Sequence, residues 1–309
     1  MTPAHQIPRL LVIGGTGFIG KHVVQHGLRL GWNVTSISLK NTHKAGLGAV
    51  QHIYIDIKDR VGLKSALTQN SFEYVVNCSG YVDHTLLSEG GRTIFEDHIS
   101  GLINVIECLD RQSLQGFVNI GSSDEYGNAT SPLKEITRES PIAPYSLGKL
   151  AATHLFQMLS KTESFPGIVL RLFLCYGPKQ DFARFIPQTI KGCLSNKPFP
   201  VSEGLQLRDF CFIDDIVNAI FLALPNPEAR GHVINIGSGD PVSIKDVVNK
   251  IVAILGCGKP QFGQRPYRPG ESMALFPDVT KAKEILSWTP SIALEAGLKQ
   301  TIESFRIDQ

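Results

Sequence analysis

The chain has 309 residues, 42% of them hydrophobic and 19% charged, enough apolar content for a sizeable core in one large domain or two closely packed ones. A formal charge of +2, with no Lys/Arg run longer than a pair, excludes the phosphate-neutralising stripe of a nucleic-acid binder. No apolar run reaches the roughly 20 residues that span a bilayer, and the N-terminus passes straight into a strand-like segment, so a cytoplasmic protein is expected, with no membrane partner.

The first apolar run, LLVIG, leads through GGTGFIG (14–20) into a helix that ends near Gly31. Bare backbone N–H groups at a helix N-terminus hold a pyrophosphate, and side chains there would keep it away. Gly14, Gly15, Thr16, Gly17, Phe18, Ile19 and Gly20 are therefore assigned to a dinucleotide. His22 and His26, one turn apart on the same helix, lack the Glu and the third ligand of a zinc site and are expected to face solvent.

The second run, NVTSISL, ends at Ser38-Leu39-Lys40, where an NAD-binding chain normally carries a carboxylate for the adenosine ribose. Without that carboxylate a 2′-phosphate is not repelled, and Lys40, with His43 and Lys44 nearby, attracts one. Ser38 and Lys40 thus favour NADP(H) over NAD(H). Asp56, closing HIYIDI, either bonds the adenine amino group or caps a helix. Ile57 beside it, and Ser79 and Gly80 at the end of YVVNCSG, complete the cofactor assignment.

FVNIGSS runs into GSSDEYG (121–127), at the carboxyl edge of the expected sheet, where ligands bind in such folds. Tyr145 and Lys149, four apart in PYSLGKLAATHLF, share one helix face. A phenol of reference pKa about 10 needs a nearby cation to favour phenolate near neutrality. Lys149 supplies that cation. Ser122 or Ser123 then orients a substrate carbonyl or alcohol while Tyr145 passes the proton during hydride transfer.

With GIVLRLFL the pattern amounts to six parallel strands covered by helices, an α/β, Rossmann-type doubly wound sheet. Residues 1–177 are expected to form the dinucleotide-binding domain and 178–309 mainly a smaller substrate region, with about 210–240 returning to the main sheet through Val233 to Ile236. Asp214 and Asp215 read as the N-cap and first-turn carboxylate of IVNAIFLAL. An amphipathic helix at 243–255, a Pro- and Gly-rich loop at 258–270 and two closing helices follow. Arg208 in RDF and Arg268 in YRPGE suit a diphosphate clamp or are surface charges. The six cysteines lack CxxC spacing and indicate neither a disulfide framework nor a metal site.

Taken together, these residues resemble the extended short-chain dehydrogenase/reductases, in the nucleotide-sugar epimerase/dehydratase/reductase group, from about Leu10 to the last helix. GGTGFIG is similar to the family's cofactor turn and Tyr145-Ser-Leu-Gly-Lys149 to its YxxxK pair. LRLFLCYGP (170–178), LRDFCFIDDI (207–216), VINIGSGDPVS (233–243), RPGE (268–271) and KAKEILSWTP (281–290) are similar to its downstream motifs in the same order. The resemblance implies hydride chemistry at a sugar carbon of a nucleotide-sugar substrate. It also implies Arg208 and Arg268 near the diphosphate, and a homodimer pairing helices that include 143–162.

Family dehydratases carry a hydroxyl-Asp-Glu run four residues before the Tyr-Gly, whereas Ser123-Asp124-Glu125 abuts Tyr126-Gly127 here. Asp124 and Glu125 are accordingly assigned to substrate binding rather than to elimination of water. Family epimerases and dehydratases recycle a tightly held NAD and reductases consume NADPH; because Ser38/Lys40 departs from the NAD pattern, and PFPVSEGLQLRDF is also similar to its counterpart in reductases of 4-keto-6-deoxy sugars, the favoured activity is NADPH-dependent reduction of a nucleotide-linked 4-keto-6-deoxyhexose. The alternatives are a 4-epimerase or 4,6-dehydratase with tightly held NAD, and a non-catalytic dinucleotide sensor, against which the presence of both Tyr145 and Lys149 argues.

Overall fold

The computed structural model describes residues 7–39, 50–68, 70–267 and 270–307. In chain order the N-terminal part runs β1 (Arg9–Ile13), α1 (Phe18–Arg29), β2 (Asn33–Ser38), β3 (Gln51–Tyr54), α2 (Arg60–Leu67), β4 (Tyr74–Asn77), α3 (Gly91–Cys108), β5 (Gly116–Ser122), α4 (Pro144–Glu163) and β6 (Gly167–Leu172). The rest runs β7 (Leu174–Tyr176), α5 (Phe185–Leu194), β8 (Pro198–Pro200), β9 (Leu207–Arg208), β10 (Phe210–Phe212), α6 (Ile213–Ala223), β11 (Val233–Ile236), β12 (Val242–Ser243), α7 (Ile244–Leu255), β13 (Lys259–Gln261), β14 (Ala274–Leu275), α8 (Thr280–Leu286) and α9 (Leu294–Ile307).

Successive residues of a strand point to opposite faces, and β1 shows what that demands. Leu10 and Val12 pack into one core cluster with Val23 and Val24 of α1 and Ile216 and Ile220 of α6. Leu11 and Ile13 enter the other, with Leu63 of α2, Leu102 of α3 and Phe156 of α4. A strand covered on both faces must be apolar throughout, which is why it reads as a continuous run. Each fully buried Leu or Val contributes roughly 2 kcal/mol.

The main sheet has seven strands in the order β11-β6-β5-β4-β1-β2-β3, with every neighbouring pair parallel. The six expected strands are all present and β11 is the seventh. From β1 the chain winds outward through β2 and β3, then returns and winds the other way from β4. The order therefore reverses between β1 and β4, and a crevice opens at their carboxyl ends.

Three small sheets, β10-β7, β12-β9-β14 and β13-β8, follow or flank this edge, so the stretch 258–270 expected as a loop includes a short strand. Asp215 does more than complement a helix dipole. Phe212 occupies the N-cap of α6, and the Asp215 carboxylate accepts bonds from Ser291 N, Ser291 Oγ and Ile292 N at 2.7–3.0 Å. Its carbonyl takes the indole N–H of the buried Trp288 at 3.0 Å, fastening the segment that leads to α9. All six cysteines are free thiols, and no helix among the described residues is long and apolar enough to cross a membrane.

Candidate active site

The turn after β1 is shaped by what it cannot hold. Gly14 has φ +75°, and a Cβ there would stand 3.0 Å from the backbone of Cys78 and Ser79, where the chain leaves β4. A Cβ on Gly20 would collide with the carbonyl of Gly14, and one on Gly17 would come within 3.2 Å of the same oxygen. Helix α1 begins at Phe18 with no side-chain cap and no acidic residue in its first turn, so its free N–H groups face the crevice unopposed. This cradle fits a dinucleotide pyrophosphate.

The neighbouring assignments divide. The Ser38 hydroxyl accepts a bond from Thr16 N at 3.2 Å, tying the glycine turn to the end of β2. Lys40, with His43 and Lys44, and Arg268 lie outside the described residues. Asp56 caps no helix: its carboxylate accepts from Lys58 N at 2.9 Å, and Asp59 caps α2 by accepting from Gly62 N at 3.0 Å. The Ile57 side chain lies against Gly101 of α3, while Ser79 bonds Asn77 Oδ1 through both its N–H and its hydroxyl. Gly80 passes close to His98, where a Cβ would come within 2.6 Å of Nε2. His22 is not solvent-facing, since its Nε2 donates to Pro178 O at 3.2 Å, and His26 lies against the ring of Phe221 at 4.5 Å.

At the catalytic end, α4 starts with Pro144 at its first position, so Tyr145 sits in the opening turn and Lys149 one turn further on. Both are buried, at 5% and 8% exposure. Burial pushes the Tyr145 phenol up, the Asp124 carboxylate adds to this, and a hydrogen bond with the Ser122 side chain and the charge of Arg184 pull the other way. Ser122, the last residue of β5, is thus the serine that meets the phenol. Burial pushes the Lys149 ammonium down, Glu125 opposes this, and Nζ donates to Ile120 O at 2.9 Å.

One substrate assignment needs correction. Glu125 has no exposed side-chain surface and is ion-paired with Arg171 at 2.8 Å, so it cannot touch a substrate. The run Ser123-Asp124-Glu125-Tyr126 is a 3-10 turn capped by Ser122, which swings Glu125 back under the strand. Arg208 is 8% exposed and paired with Glu271, with a further bond to its neighbour's carbonyl Leu207 O at 2.8 Å, so its charge is already engaged within the protein. Asp124 stays at the mouth, where its carboxylate accepts the His84 Nε2 proton at 2.9 Å.

Four residues at or beneath the site carry no sequence signal. His84 and His98 approach the Tyr145 ring edge-on from opposite elements, at 5.8 and 5.2 Å. Arg184 stands at the N-cap of α5, and Arg171 reaches from β6 under the serine turn. None lies at a fixed spacing from Tyr145 along the chain.

A fold whose strand order reverses at a glycine-lined helix start, with Ser, Tyr and Lys gathered beside it, defines a dinucleotide-dependent oxidoreductase-type enzyme. Residues 10–237 match the NAD dependent epimerase/dehydratase family, and the chain belongs to it. Among its relatives is a dTDP-glucose 4,6-dehydratase of Neisseria gonorrhoeae, 29% identical, with 95% of this chain and 94% of that protein covered. The UDP-glucose 4-epimerase of Thermotoga maritima, solved with UDP-glucose, superposes with a TM-score of 0.90 at 25% identity, covering 97% and 99% of the two chains. The UDP-glucuronic acid 4-epimerase of Bacillus cereus, solved with UDP-glucuronic acid and NAD, gives 0.87 at 25% identity over 97% and 100%.

Proposed function

We propose that this enzyme oxidises and re-reduces carbon 4 of the hexose in a nucleotide sugar, as a 4-epimerase that retains NAD. The observation that carries the reading is the meeting of Tyr145 with Ser122, backed by Lys149, beside the glycine cradle. When bound, the nicotinamide supplies a reversible hydride acceptor. Ser122 orients the C4 oxygen, and Tyr145 takes the hydroxyl proton as hydride leaves and returns it when hydride comes back to the opposite face. Lys149 favours the phenolate form that the first step needs.

One observation favours epimerisation over dehydration. The acids next to Ser123 are occupied, Asp124 with His84 and Glu125 with Arg171, which leaves no free acid pair in that turn to eliminate water.

A second reading has its own observation. No carboxylate ends β2; Ser38 stands there instead, which suits NADPH and the reduction of a nucleotide-linked 4-keto-6-deoxyhexose. A homodimer in the cytoplasm fits either reading, through the outer faces of α3 and α4, where Ile103, Leu147 and Met158 are exposed.

Incubating the purified protein with UDP- and dTDP-hexoses and no added cofactor, and in parallel with NADPH and nucleotide-linked 4-keto-6-deoxyhexoses, separates the two. Epimer formation together with co-purifying NAD supports the epimerase. Oxidation of added NADPH by a 4-keto-6-deoxy substrate, with no epimer formed, replaces it with the reductase.

A further inference from the structure

The Glu125 carboxylate lies directly beneath the serine turn, and groups from three elements converge on it. The Ser122 N–H from β5 donates at 2.8 Å, the Thr153 hydroxyl from α4 at 2.7 Å and Arg171 Nε from β6 at 2.8 Å. The close fit leaves no room at Gly121, where a Cβ would stand 2.7 Å from Glu125 Oε1. Arg171 has other anchors, bonding Glu139 at 2.7 Å and lying 4.5 Å over the Tyr126 ring. A buried ion pair is a poor source of net stability, because two desolvated charges cost about as much as their attraction returns. What distinguishes this pair is its company, for Glu125 holds Ser122 directly and bonds Thr153, one turn beyond Lys149 on α4.

We propose that Glu125 is a positioning residue for proton transfer: bonded to Ser122 N and to Thr153, one turn beyond Lys149 on α4, it fixes Ser122 beside Tyr145 and sets a buried negative charge beside the Lys149 turn. The proposal rests on the roles given above to Ser122, Tyr145 and Lys149.

The surroundings of Lys149 support it. Burial drives the proton off, and Glu125 is the foremost group holding it on. Cys78, from the end of β4, is the other group on that side, but its thiol is pushed up to about 12 by burial and carries no charge near neutrality. His98, facing from α3, is held neutral by burial and by Lys149 itself. Tyr145 stands one turn earlier on the same helix, its phenol pushed up by burial. Loss of the Glu125 charge therefore lowers the pH at which Lys149 becomes neutral, and with it the pH at which Tyr145 loses the cation that favours phenolate; the direct repulsion of the phenolate by Glu125, the last of the causes acting on Tyr145 after Asp124, is relieved at the same time and moves the Tyr145 proton rather than the Lys149 midpoint.

Glu125→Gln removes the charge at nearly constant size. The Lys149 ε-methylene is followed by NMR titration in the protein without substrate and assigned by its loss in Lys149→Met. The expected result is a Lys149 midpoint lower by about one pH unit or more. The alkaline limb of kcat moves the same way, KM stays within about twofold, and Glu125→Asp returns both towards wild type. Thr153→Val, which removes a hydrogen bond and no charge, leaves the Lys149 midpoint in place.

An unchanged Lys149 midpoint in Glu125→Gln overturns the proposal, and so does a shifted midpoint with no movement of the alkaline limb. Should Glu125→Gln not fold, because its amide opposes the Arg171 donor, Glu125→Gln/Arg171→Met is read against Arg171→Met, the difference between the two isolating the Glu125 charge. The titration needs no substrate, so absence of turnover on every nucleotide sugar sinks the functional reading, whereas an unmoved Lys149 midpoint sinks this one alone.

Discussion

The ring of His98 stands edge-on to the ring of Tyr145, centroids 5.2 Å apart and planes at 82°. His98 Nδ1 donates to Ile94 O at 2.7 Å, and burial followed by Lys149 lowers its pKa from 6.5 to about 4. The folded protein thus refuses a proton that the unfolded chain accepts. The stability held by neutral His98 is complete above pH 6.5 and is lost as pH falls towards 4. Across that window the loss amounts to about 3 kcal/mol. Urea unfolding of wild type and His98→Asn at a series of pH values checks this, since the variant lacks that part of the slope.

Tyr145→Phe removes the phenol proposed to carry the proton and leaves the cradle intact. Turnover is expected to fall roughly a thousandfold, while dinucleotide affinity measured by fluorescence changes little. Turnover within a few-fold of wild type would assign the proton to another group.

Gly20→Ala places a methyl group against the Gly14 carbonyl, in a contact between two stretches of backbone that have no side chain to move aside. Widening the turn spoils the approach of the pyrophosphate. Dinucleotide affinity is expected to drop by at least about tenfold, with the α/β far-ultraviolet signature retained.

Arg171→Ala leaves Glu125 as a buried carboxylate with no counter-charge, and Glu139 loses its partner as well. Removing one member of a buried pair costs about 3–5 kcal/mol, so a large fall in denaturant midpoint is expected. Arg171→Ala/Glu125→Gln should recover part of that loss.

Much of this fold was legible because its signals are local. A parallel strand covered on both faces has to be a short apolar run, and β1, β4 to β6 and β11 read that way. GGTGFIG works through backbone sterics over seven successive residues, and Tyr145 and Lys149 share a face by helical period alone. The serine loop was found for the same reason, since it directly follows β5.

Where the reading missed, the deciding partner lies far along the chain. Glu125 meets Arg171 at a separation of 46 residues and Arg208 meets Glu271 at 63, distances over which no spacing rule operates. Ser122 and Ser123 are adjacent and chemically alike, and only the capped 3-10 turn turns Ser122 towards Tyr145. His84 and His98 flank the same ring because the crossover of the chain between β4 and β5 brings them there.

The sequence by itself determined the strands, the dinucleotide turn and the Tyr–Lys pair, because each depends on steric or periodic constraints within one turn or one strand. The tertiary structure decided which acids face inward, which serine serves the phenol and which histidines enclose it. Those outcomes turn on desolvation and charge pairing, and both are properties of the assembled interior rather than of any segment of it.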